Sequence, residues 1–162
     1  MAVNRHKTAY DTYLSSFTNE FLVVCPACGK QALVKKGNQT PPLDTKLTCV
    51  ACGYNKTLSE TPPEKIMIGR RIVLARSYTY GTFIDPYFKL PLWLIAPCRG
   101  ELLWAYNYGH LTFLESFVGA KLRERNFGYN ANNSMGSRLP KWMASEKNRV
   151  HVIKAIGMLK AK

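Results

Sequence analysis

The apolar positions change period along the chain. In "HKTAYDTYLSSFT" (6–18), Tyr10, Tyr13, Leu14 and Phe17 recur at helical spacing and predict a short leading helix. "EFLVV" (20–24), "QALVKK" (31–36), "TKLTC" (45–49) and "YNKTLS" (54–59) are short and strand-like instead. The turn-rich loop "GNQTPPLD" (37–44) separates the middle pair. Pro62 and Pro63 break pairing after the fourth strand, which predicts a first module over residues 1–60 and a second over 61–162.

Beyond the prolines, "KIMIGRRIVLAR" (65–76) reads as β structure and "SYTYGTFIDPYF" (77–88) as an aromatic loop. "LPLWLIA" (90–96) and "ELLWAYN" (101–107) flank turn residues and predict a hairpin, apolar on both faces, that brings Trp93 near Trp104. In residues 110–126, Leu111, Leu114, Val118 and Leu122 form an apolar stripe widened by Phe117, the mark of a helix. Lys121, Arg123 and Arg125 would crowd its last turns, where the helix dipole favours cations. An uncharged Gly/Asn/Ser loop (127–137) follows, then a short helix (140–146) opened by Pro140 and a longer one (148–160). The pattern predicts an α+β chain: a cysteine-bearing ribbon, then a small antiparallel sheet with two C-terminal helices.

Cysteine changes that picture most. "CPACGK" (25–30) returns as "CVACGY" (49–54), so Cys25, Cys28, Cys49 and Cys52 form C-x2-C-x20-C-x2-C. Two such pairs at this separation suit one tetrahedral Zn²⁺ held by four thiolates. Glycine follows each pair, Gly29 and Gly53, where the chain needs a positive φ to leave the turn. Disulfides would need an oxidising compartment, and a redox Cys-x-x-Cys has no need of a duplicate. A site with four protein ligands is closed, so the expected zinc is structural, one per chain, and supplies folding free energy to the module. Cys98, in "APCRGE", has no nearby ligand partner and reads as a structural thiol; a pairing with His110 stays open.

Residues 20–59 resemble the zinc-ribbon superfamily, with "CPACGK" close to its commonest knuckle and the order strand–knuckle–strand–loop–strand–knuckle–strand. The likeness is to the four-cysteine ribbons of TFIIB-type transcription factors, RNA polymerase subunits, topoisomerase tails and ribosomal proteins. It implies that the four cysteines are ligands. It implies little about role, since ribbons bind nucleic acid, dock proteins or serve as scaffolds. The phrases "DPYFKLPLWL", "LLWAYN", "LRERN" and "SRLPKWMASEKNR" resemble those of uncharacterised bacterial ribbon-containing proteins, and that likeness carries no activity.

Charge supplies the functional expectation. The chain has 162 residues and a formal net charge of +13. Residues 121–162 hold ten Lys/Arg against two Asp/Glu, while 61–120 hold six against four. Such asymmetry points to a polyanion, above all nucleic acid, DNA or RNA. The expected contacts are Lys121, Arg123, Arg125, Arg138, Lys141, Lys147 and Arg149, with Trp142 to stack on bases, and Arg70 and Arg71 from the β segment. The alternative is an adaptor whose ribbon or basic face docks a partner protein.

Enzyme signatures are missing. The ten acids are scattered, with no pair at two-metal spacing, and no phosphate-binding glycine loop or nucleophile elbow occurs. No catalytic residue is therefore expected. The longest apolar run, "LPLWLIAPC" (90–98), contains two prolines and is far shorter than the roughly 20 residues of a membrane span. With no apolar signal core in "MAVNRHKTAYDTY", the expectation is a cytoplasmic protein away from membranes.

Overall fold

The structure, a computed structural model, describes residues 5–6, 11–120, 122–123 and 133–162. It is α+β. Its contacts group into two compact units, Glu20–Trp93 and Leu94–Lys162 with Met1–Asn19. The division expected at residue 60 falls inside the first of these.

A two-residue strand, β1 (Arg5–His6), belongs to the second unit. The expected leading helix is reduced among the described residues to one 3-10 turn, Leu14–Phe17. Ser15 and Ser16 favour local turns over helix, and the Thr18 hydroxyl donates back to the Ser15 carbonyl at 2.8 Å and closes the turn. Tyr10 lies outside the described residues.

The first unit begins with a four-stranded antiparallel sheet in sequential order: β2 (Glu20–Val24), β3 (Gln31–Lys35), β4 (Lys46–Thr48) and β5 (Asn55–Thr57). Alternation sets the buried side in β3 and β4, whereas β2 buries Phe21, Leu22 and Val23 in succession. Phe21, Val23, Val34 and Leu47 are fully enclosed, while Lys35, Lys46 and Thr48 face water. Thr57 and Glu60 close the sheet with a capping box, so the 3-10 turn Leu58–Glu60 starts cleanly and plugs Leu58 into the core.

The segment 65–76 is not one strand but a hairpin, β6 (Glu64–Ile68) with β7 (Arg71–Ala75). Gly69, at φ +61°, supplies the turn that splits it. Downstream, buried Asp85 organises the loop before Leu90. Its carboxylate accepts the N–H groups of Tyr87 and Phe88 at 2.9 Å and of Leu90 at 2.6 Å. Burial still holds its carboxyl above the usual range, against the pull of those donors. Tyr87 packs edge-on to Phe21 and shares a hydrogen bond with Tyr80 at 3.0 Å.

In the second unit, β8 (Leu94–Cys98) and β9 (Glu101–Ala105) form the expected hairpin, turned at Arg99 and Gly100. The register sets Trp104 opposite Ile95 and not Trp93, which lies before the strand. One face is enclosed, through Leu94, Ala96, Cys98, Leu103 and Ala105, whereas Leu102 and Pro97 are exposed on the other. Helix α1 spans Tyr108–Gly119 and buries Leu111, Leu114, Phe117 and Val118. It stops short of the expected 126 because Ala120 turns extended and β10 (Leu122–Arg123) pairs in parallel with β1. Its last turn therefore holds no cation, and the dipole argument for Lys121, Arg123 and Arg125 falls away. Two single-turn helices, α2 (Met135–Arg138) and α3 (Lys141–Ala144), lead to α4 (Arg149–Lys160), which packs Val152, Ile156 and Leu159 inward. No helix of the described residues is long and apolar enough to cross a membrane.

Candidate metal centre

Each cysteine pair sits in a turn joining two sheet strands. The two turns share one backbone pattern. Cys25 N–H donates to the Lys30 carbonyl at 2.7 Å and Gly29 N–H to the Cys25 carbonyl at 2.9 Å. Cys49 repeats the first bond with Tyr54 at 2.8 Å, and Gly53 the second at 2.9 Å. Gly29 and Gly53 leave the turns at φ +70° and +76°, a region closed to most side chains. Pairing of β3 with β4, Leu33 opposite Thr48, brings both turns to one end of the sheet.

All four cysteines are unbridged, and their Sγ atoms lie within 4.8 Å of one another. Cys25 to Cys52 and Cys28 to Cys49 are each 3.7 Å. That is far beyond a disulfide bond of about 2.05 Å. It matches the edge of a tetrahedron with metal–sulfur bonds of about 2.3 Å, which is roughly 3.8 Å. The four thiols are thus positioned to bind one metal ion, in an arrangement consistent with a zinc-ribbon-like knuckle. Cys25 and Cys49 are buried and Cys28 and Cys52 exposed, so the centre lies at the margin of the sheet.

The thiols are electrostatically unequal. Burial pushes Cys25 up, but the N–H groups of Cys28 and Ala27, together with the Cys49 and Cys28 thiols, outweigh it and bring it to about 7. At Cys52 the N–H of Tyr54 favours the thiolate. The Cys28 thiol, burial and the remaining two thiols overcome it and push Cys52 up to about 12. The thiolate is thus favoured at Cys25 and disfavoured at Cys52, and a divalent cation bound by both would favour it at each.

The expected polyanion contacts divide between the units. Arg70 sits in the β6–β7 turn and Arg71 opens β7, both exposed, in the first unit. In the second, Arg138 ends α2, Lys141 and Trp142 begin α3, and Lys147 and Arg149 follow. Arg138, Lys141 and Lys147 are exposed, while Trp142 and Arg149 are half-buried. Arg138 donates to the Asn133 side chain at 2.8 Å and Arg149 to the Ala120 carbonyl at 3.4 Å. Lys121 and Arg125 lie outside the described residues, and Arg123 is described only as part of β10.

Two residues left open for chemistry have structural places. His110 is 2% exposed in the first turn of α1, its ring stacked on Phe17 and edge-on to Trp104. Burial lowers its pKa to about 4, and its Nδ1 accepts the Tyr106 N–H at 3.3 Å, which suits the neutral ring. Cys98 ends β8, buried, and burial pushes its thiol up, away from the thiolate a nucleophile needs. Asn107 caps α1 by accepting the His110 backbone N–H, and the Asn148 side chain donates to the Trp142 carbonyl. Sequence reasoning missed a cluster formed by Arg99, His151 and Lys154. The one early signal was i, i+3 spacing of the last two, and nothing in the sequence tied them to Arg99.

Comparison with protein-family models, curated proteins and solved structures returned no match.

Proposed function

We propose that this chain is a non-enzymatic zinc-ribbon protein of the TFIIB-like four-cysteine kind, with one structural Zn²⁺, and that it binds nucleic acid through its basic C-terminal region. Four thiolate donors in a tetrahedron suit Zn²⁺ above harder divalent ions. The observation that carries the nucleic-acid reading is the run from Arg138 to Arg149. Arg138, Lys141, Lys147 and Arg149 gather there against a single acid, Glu146. None of the four makes an ion pair among the described residues, unlike Lys89 with Glu64 and Lys160 with Glu115. Cations without an acidic partner are equipped to release counterions from phosphates, and the half-buried ring of Trp142 on the same stretch to stack on a base.

The test is affinity for duplex DNA and for single-stranded RNA over a salt series. A steep fall in log K with log salt is expected. Lys141→Gln and Lys147→Gln should each shallow the slope by about 0.9. A flat salt response on both probes would contradict the reading.

The adaptor reading has its own support in the β6–β7 hairpin. Met67, Ile72 and Leu74 share one face, 73%, 67% and 67% exposed, unusual for large apolar side chains. Its test is whether one protein co-purifies after nuclease treatment and is lost on Ile72→Lys.

A further inference from the structure

A cavity of about 170 Å³ opens in the second unit where the end of β8 meets α4. Buried Cys98 and Ala155 lie at its base, with exposed Pro97 and Met158 at its sides. The rest of the lining is Arg99, His151 and Lys154, with no carboxylate among them. His151 and Lys154 stand three residues apart on α4, and so share a face. None of these three side chains has a hydrogen bond or ion pair among the described residues. Arg99 and Lys154, both exposed, put two positive charges in the lining of one hollow that contains no carboxylate. Their mutual repulsion is relieved by an anion.

The backbone adds a second observation. Arg99 has φ +57° and Gly100 φ +85°, a turn with two left-handed residues. Asn-Gly is the favoured pair for such a turn, and arginine is disfavoured at its first position. That unfavourable placement directs a guanidinium, the best side chain for forked contact with phosphate oxygens, to the cavity. Cys98 stays a neutral thiol at the base, since burial pushes it up, and adds no repelling charge.

We propose that this cavity is a phosphate-binding site, in which Arg99 and Lys154 hold the anion and His151 supplies a further polar contact. The phosphate belongs either to a free or small-molecule ligand or to a nucleic-acid backbone. The site itself does not rest on the nucleic-acid reading above.

The experiment titrates the full-length, metal-containing protein with inorganic phosphate at constant ionic strength, reading amide shifts by NMR. Mixed-sequence duplex DNA is titrated in parallel. Saturable phosphate binding is expected, weakened about tenfold by Lys154→Gln and by Arg99→Asn, as loss of one charge-assisted contact implies. Asparagine suits the left-handed position, so Arg99→Asn should keep or raise the melting temperature, which separates lost binding from lost folding. Unchanged DNA affinity in these variants would assign the site to a free phosphate or phosphorylated small molecule. A parallel loss would assign it to a nucleic-acid phosphate. The proposal is overturned if phosphate binding is absent and DNA affinity is unaffected by the variants, or if phosphate binds both variants as well as it binds the parent protein.

Discussion

His110 illustrates how one buried ring ties stability to pH. Its folded-state pKa, about 4, lies below the 6.5 of an exposed histidine because the charged ring loses water among Phe17, Trp104 and Tyr106. Between those values the unfolded chain binds a proton that the folded chain does not. Its contribution is therefore complete above pH 6.5 and is lost as pH falls towards 4. A gap of this size corresponds to about 3 kcal/mol. Urea unfolding at a series of pH values should show that loss in the parent protein, and His110→Phe should flatten the curve over the same window. An equal fall in both proteins would assign the effect to other groups, the cysteine cluster first among them.

At the scale of elements, boundaries follow local chemistry in some places and distant partners in others. Asn107 starts α1 by accepting the His110 N–H at 2.9 Å, while its amide donates to the Phe17 carbonyl at 3.0 Å. Asn107→Ala should thus cost about 1–2 kcal/mol, read as a lower urea midpoint with unchanged slope. A change below about 0.3 kcal/mol would mean the cap is replaced by water. The cysteine turns were legible in the sequence because everything that shapes them lies within six residues. The metal centre was legible with them, since two like turns on neighbouring strands must meet. The end of α1 was not, because the apolar stripe runs on to Leu122 and only pairing with Arg5–His6 diverts it. The 65–76 segment hid its hairpin for a related reason. Ile66, Ile68, Ile72 and Val73 on either side of Gly69 favour β structure, and a single glycine between apolar and charged neighbours is a weak turn signal. The Arg99 cluster depends on side chains meeting between strand and helix, which no local pattern encodes.

For the whole molecule, the proposed function gives charge and metal separate duties: the net charge of +13 would draw a polyanion, and an ion on the four clustered thiols would tie together a sheet of short strands. The core of that sheet is small, so metal binding and folding of residues 20–59 should be a single event. Cys49→Ser removes a buried ligand and should release the ion and expose the amides of β2 to β5 to hydrogen exchange, while α1 and α4 keep their protection. The most direct measurement is elemental analysis of protein prepared without chelator, set beside the Cys49→Ser variant. The account predicts one zinc per parent chain and little or none in the variant. Parent protein free of metal, or a variant that keeps its zinc, would contradict it.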